Sequence, residues 1–217
     1  NAGGGDFYYI ASPEQIPQYF LREFEQLTSV TAREAAVKIS LPQGVNATVL
    51  GGWTTEEEQD ALHIKLGDLY AGQELQVYVR LLTPPGAAGE ALKFDVLLSA
   101  AGEDGQVLNT SGELRYEYAA DNAVAAAPIE KEVMKRYAAV RLANTASEAL
   151  KMERAGQRQQ ASEKLSKEIC LSIGFMVKED VVKYRELAER MKRGMQENDR
   201  KMSQYNSYKL KRTRREE

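Results

Sequence analysis

Leu75-Gln76-Val77-Tyr78-Val79-Arg80-Leu81 alternates four aliphatic residues with Gln76, Tyr78 and Arg80. A period of two places one set of side chains on each face of an extended chain, so the segment reads as a strand with one buried face. The same alternation recurs on both sides of it. Val37, Ile39 and Leu41 are interleaved with Lys38 and Ser40, and Leu62, Ile64 and Leu66 with His63 and Lys65. Leu114, Tyr116 and Tyr118 are interleaved with Arg115 and Glu117. Turn signals separate the runs: Pro42-Gln43-Gly44, Gly51-Gly52, Gly67-Asp68, Pro84-Pro85-Gly86 and Gly102-Glu103-Asp104-Gly105. Parallel strands need crossover helices, and these gaps have no room for them. The expectation for residues 28–119 is an antiparallel β-sandwich of about seven strands.

On the N-terminal side, Phe7-Tyr8-Tyr9-Ile10 reads as a short strand. Ser12-Pro13-Glu14 then carries the signature of a helix start, and Ile16, Phe20, Phe24 and Leu27 fall on one helical face. On the C-terminal side the period lengthens. Ala119 to Ala127 reads as a linker, and Ile129, Val133, Tyr137 and Val140 share a helical face. Gly156 interrupts the pattern before a second amphipathic segment at Gln159–Ile173. Asp180 is placed to cap one long last helix reaching about Leu210. Along it Tyr184, Ala188, Met191, Met195, Asn198, Met202 and Tyr205 follow alternating steps of four and three. Such a seam suits packing on another helix, in the same chain or in a homodimer. The organisation is thus 1–27, a strand–helix remnant; 28–119, the sandwich; and 120–217, a helical arm. The fold class is α+β with segregated blocks.

Composition narrows the chemistry. The 217 residues are 43% hydrophobic and 28% charged with net charge −3, as expected for a globular chain, and no apolar run is long enough to span a bilayer. The opening Asn1-Ala2-Gly3-Gly4-Gly5, without an initiator Met, reads as the start of an internal fragment. The single cysteine, Cys170, excludes an internal disulfide and is expected as a buried, inert thiol, in keeping with a cytoplasmic protein. His63, the one histidine, falls on the polar side of its strand, so no histidine-based catalytic or metal cluster is available within the chain. Trp53 reads as a core or edge-packing residue, and Glu56-Glu57-Glu58-Gln59-Asp60 as a solvated hairpin tip. From Asp180 onward the net charge is +5, against −8 for the rest, and the end Lys209-Leu210-Lys211-Arg212-Thr213-Arg214-Arg215 is basic. Nucleic acid could dock there by counterion release, but a solvated end, or a contact to the acidic body or a partner, is the expected state. Neither an enzyme nor a cofactor is expected.

Three sets of residues carry a resemblance. Gly4-Gly5-Asp6-Phe7-Tyr8-Tyr9-Ile10, Pro13-Glu14-Gln15-Ile16-Pro17 and Phe20-Leu21-Arg22-Glu23-Phe24 resemble the last strand and last helix of a bacterial von Willebrand factor type A (VWA) domain. Leu27-Thr28-Ser29-Val30-Thr31-Ala32-Arg33, Leu41-Pro42-Gln43-Gly44-Val45 and Leu66-Gly67-Asp68-Leu69-Tyr70-Ala71-Gly72-Gln73-Glu74 are similar to the region that follows such domains. Ala146-Ser147-Glu148-Ala149-Leu150, with Gly156 and Ala161, resembles the helical hairpin that ends them. VWA domains bind partners through a metal site marked Asp-x-Ser-x-Ser, a pattern that does not occur in this sequence. The resemblance therefore implies a metal site upstream of Gly3 and a non-catalytic, protein-binding role for this chain. It also implies that Ile16, Phe20 and Phe24 have lost their usual packing surface. They are expected to pack on this chain's sheets or helices, or in a dimer contact. Tyr184, Met191, Met195, Met202 and Tyr205 form the second candidate interface.

Overall fold

The computed structural model describes residues 9–10, 12–27, 29–102 and 104–211, with the side chains of 22, 23 and 25–27 left aside. Phe7 and Tyr8 of the expected first strand, the side chain of Leu27, and residues 212–217 of the basic end lie outside that set. Seven strands form: β1 (Val30–Ser40), β2 (Asn46–Leu50), β3 (Thr54–Glu58), β4 (Ala61–Tyr70), β5 (Tyr78–Leu82), β6 (Ala91–Gly102) and β7 (Val107–Glu117). They divide unequally between two sheets. Five join in one sheet, ordered β3-β4-β1-β6-β7, and β2 pairs only with β5, every contact antiparallel. The class is mixed, with a mainly antiparallel five-stranded sheet, a two-stranded sheet and six α-helices among the described residues.

The alternation read from the sequence explains the sheet core. Leu62 and Ile64 are fully buried with Trp53, and Val37, Ile39, Ala47, Val49, Leu75, Val77 and Val79 pack around them. Residues of both sheets therefore share one apolar cluster. Leu75 and Val77 contribute to it from the segment that precedes β5 rather than from the ladder.

Two expected turns are strand interior instead. Gly67 and Asp68 lie within β4, where Gly67 pairs with Ala35 at a shift of register. Gly67 has φ +85° and Glu34, across from it, φ +52°. The Asp68 carboxylate accepts the Glu34 N–H at 3.1 Å, so a bulge, with its extra residue, is what the glycine serves. The reversal follows later, at Ala71-Gly72, where Gln73 N–H donates to Tyr70 O. Likewise Glu56, Glu57 and Glu58 are β3 residues paired with β4, not a loop tip. Glu56 forms an ion pair with Lys65, which neutralises part of an exposed strand, and the Glu58 carboxylate lies 3.3 Å from His63 Nε2.

The helical part departs further from its reading. The expected linker contains a short helix, α2 (Asp121–Ala126), and is followed by α3 (Lys131–Arg154) and α4 (Arg158–Ser172). The single long last helix is two helices, α5 (Lys178–Arg193) and α6 (Glu197–Lys211). Gly194 separates them at φ +97°, a conformation that ends a helix and that only glycine adopts at no cost. The seam is split with it. Tyr184, Ala188, Met191 and Met195 are buried against Leu142, Leu150, Leu165 and Ile169 of α3 and α4. They are this bundle's core, not an intermolecular face, and burial pushes the Tyr184 phenol up to about 12. Met202 is 46% exposed, and Tyr205 is half-buried beneath Lys209. The inward residues of α6 are instead Ser203 and Ser207, whose small size suits close approach to the alanines of α3.

Substituting Gly194 tests the break directly. A Cβ there would stand 2.9 Å from Arg158 Cζ as well as forcing a β-carbon into left-handed backbone. Gly194→Ala is expected to cost about 1–2 kcal/mol in urea unfolding. Fusion of α5 and α6 into one straight helix, seen as an unchanged or raised midpoint, would contradict the folded-back arrangement.

Candidate interaction surfaces

Helix α1 (Ile16–Leu27) starts after a 3-10 turn at Pro13–Gln15, as Ser12-Pro13 foretells, although the Ser12 side chain makes no capping bond. Among the described residues it packs against that turn. Ile16 is 50%, Phe20 72% and Phe24 60% exposed. None of the three is part of the buried clusters of the sheets or the helical bundle. A 12-residue helix has little stability of its own in water, so a face of this kind calls for a cover.

A second surface lies where the sheets meet the helices. β7 carries Leu108, Leu114 and Tyr116 on one face, the arrangement its alternation foretells, yet they are 40–52% exposed. Beside them, paired across the strands with Leu114, Phe94 of β6 is fully buried, with the Tyr116 ring edge-on at 5.8 Å and 81°. The apolar face of β6–β7 runs into a cleft of about 470 Å³ between β5 and the first turns of α3. Tyr78, Val79 and Leu81 form one wall, Leu92 and Tyr116 the floor, and Val133 and Tyr137 the opposite wall. Burial raises the Tyr78 phenol above its ordinary value, and its hydroxyl donates to Gln76 Oε1 at 2.8 Å. The rim is fixed by Tyr118, whose hydroxyl donates to Pro84 O at 2.6 Å. Its ring covers Gly86 so closely that a Cβ there would fall 2.4 Å from Tyr118 Cε2. Sequence reasoning placed Leu114 and Tyr116 on a buried face and so missed this surface. The signal it had was the alternation itself.

Elsewhere the polar groups are tied into the fold. Glu153, at the end of α3, is completely enclosed yet charged. Arg200 of α6 binds both its oxygens, Nε to Oε2 at 2.6 Å and Nη2 to Oε1 at 2.9 Å, and the Met195 N–H donates to Oε1 at 3.0 Å. These contacts hold the carboxyl below its ordinary value of 4.5, the Arg200 hydrogen bond contributing most. Arg141 of α3 binds Glu168 of α4 at 2.7 Å, and Ser172 donates to the same carboxylate. Lys211, in the basic end, turns inward to donate to Ser147 at 2.7 Å, and burial lowers its pKa. Its carbonyl meets the β2–β3 turn, where a Cβ on Gly51 would come within 2.8 Å. Cys170 is exposed rather than buried, because Leu165, Ile169 and Ser172 set the inward phase of α4 and residue 170 falls about 100° round from Ile169. Among the described residues no group of three or more His, Cys, Asp or Glu side chains could hold a metal ion, and no helix is long and apolar enough to cross a membrane.

The fold is VWA-like: solved structures that share it over nearly the whole chain are described as von Willebrand factor type A proteins. One is the von Willebrand factor type A protein from Catenulispora acidiphila, with TM-score 0.62 and 16% identity, covering 91% of this chain and 51% of that one. Another is the ArnB paralog VWA2 from Sulfolobus acidocaldarius, with TM-score 0.57 and 20% identity, covering 97% of this chain and 50% of that one. At these identities the likeness shows the fold alone. The chain spans about half the length of either protein. No protein-family model matches the sequence, and no curated protein matches it.

Proposed function

We propose that the chain is a non-catalytic scaffold region of a VWA protein, which supports and orients a metal-dependent ligand-binding domain lying upstream of it. The observation that carries this reading is α1. An amphipathic helix with Ile16 and Phe20 half or more exposed is suited to lie on a further surface. The likeness to proteins about twice as long supports a further domain as that cover. In this reading the sheets form an incomplete sandwich, and the bundle meets it where the Lys211 carbonyl lies against the turn at Gly51.

The test is capture of the upstream polypeptide, made separately, by this chain. Capture is expected with and without divalent metal, and Phe20→Asp with Phe24→Asp is expected to abolish it. Capture that needs the metal would move recognition to the metal site itself and remove α1 from the interface. The alternative of a nucleic-acid-binding arm gains nothing from Lys209 or Lys211, which lie over Tyr205 and on Ser147.

A further inference from the structure

We infer that the cleft beside β5 is a strand-docking groove, taking an extended polypeptide segment with apolar side chains at alternate positions, supplied from outside these 217 residues. Three features converge on that occupant. The first is the backbone. β5 pairs with β2 along one edge, and among the described residues no strand pairs with the other. Alternate N–H and C=O groups of Tyr78–Leu82 therefore lack a ladder partner on the strand that lines the cleft, and an added strand is what satisfies such a row. The edge also lacks the usual safeguards: it has no proline and no lysine, and Arg80 is its one charge.

The second feature is the floor. A strand laid along β5 would cover the β6–β7 face with every second side chain, meeting Leu92 and Tyr116. That face follows the pattern of a buried one, but Leu114 and Tyr116 stand 48% and 52% exposed. The third is the count of strands. Two strands lie against a sheet of five, so the smaller layer ends at β5 while the larger continues through β7. A segment paired to β5 extends the short layer over the part that is bare. The related solved structures contain about as much chain again as this one matches, which is the source of the segment. The groove and α1 use different residues, so either assignment can fail alone.

The probe is a fluorescent peptide of about seven residues alternating valine and threonine, added to the full 217-residue chain. Saturable binding is expected, with amide exchange at 78–82 slowed by at least about tenfold at saturation and exchange in α3–α6 unchanged. Methylating the backbone nitrogens on one edge of the peptide is expected to abolish binding, since it removes the donors but not the apolar side chains. Tyr116→Asp is expected to weaken binding by about tenfold or more while leaving the helical exchange pattern intact. Unslowed exchange at 78–82, or equal binding by the methylated and the parent peptide, would overturn the proposal. So would concentration-dependent dimers of the chain alone with 78–82 protected, which would make a second copy the occupant.

Discussion

Glu153→Ala is expected to lower the unfolding free energy by about 3–5 kcal/mol, a large part of the stability of an ordinary domain. The carboxylate is wholly enclosed, and three of its contacts come from the α5–α6 connection and α6. Removing it leaves the Met195 N–H without its acceptor and the Arg200 guanidinium without its bidentate partner. Arg200 is left with Glu197, a longer contact of 3.4 Å. Loss is expected first at α6, so amide protection in Ser203–Ser207 should fall before that of the sheets. The wild-type chain should show the same weakness in acid. A carboxyl whose pKa is depressed by folding stabilises the native state above its unfolded value near 4.5, and that contribution fades as pH falls through the folded value. The bundle is therefore expected to loosen below about pH 4.5 in the wild type. In Glu153→Ala the pH dependence in that range should be smaller. Denaturant titrations at several pH values check both.

Phe94→Ala is expected to cost about 3–5 kcal/mol, measured as a lower denaturant midpoint with an unchanged slope. Phe94 is the largest fully buried side chain in the sheets, on a strand that binds both β1 and β7. Truncation removes an apolar ring and its edge-on contact with Tyr116, and it leaves a cavity beneath an already uncovered face. Tyr116→Ala, at a half-exposed ring, should cost far less. A similar cost for the two would mean that the β7 face is covered in this chain.

Most of the β-region was legible because alternation is a local signal with a direct physical cause. Leu62 and Ile64 point inward because a strand with one buried face needs them there. Bulges and pairing partners were not legible: Gly67 looks the same in a turn and opposite a left-handed Glu34. In the helices, periodicity identified the right faces and misplaced the breaks. The four–three spacing through Gly194 continued on paper, while the backbone turned back so that Glu153 could meet Arg200. That ion pair joins residues 47 apart, and no window of sequence displays it. The candidate surfaces divide the same way. Ile16, Phe20 and Phe24 were visible as an amphipathic face, whereas the uncovered state of Tyr116 depends on how many strands the second layer holds.

The central claim is that α1 belongs to an interface with an upstream domain. Amide exchange of Ile16–Leu27, compared between this chain and the longer protein carrying that domain, tests it most directly. A 12-residue helix without cover should exchange close to the unstructured rate in this chain. In the longer protein the account predicts slowing by about a hundredfold or more, abolished by Phe20→Asp. Equal exchange of α1 in the two proteins would contradict it.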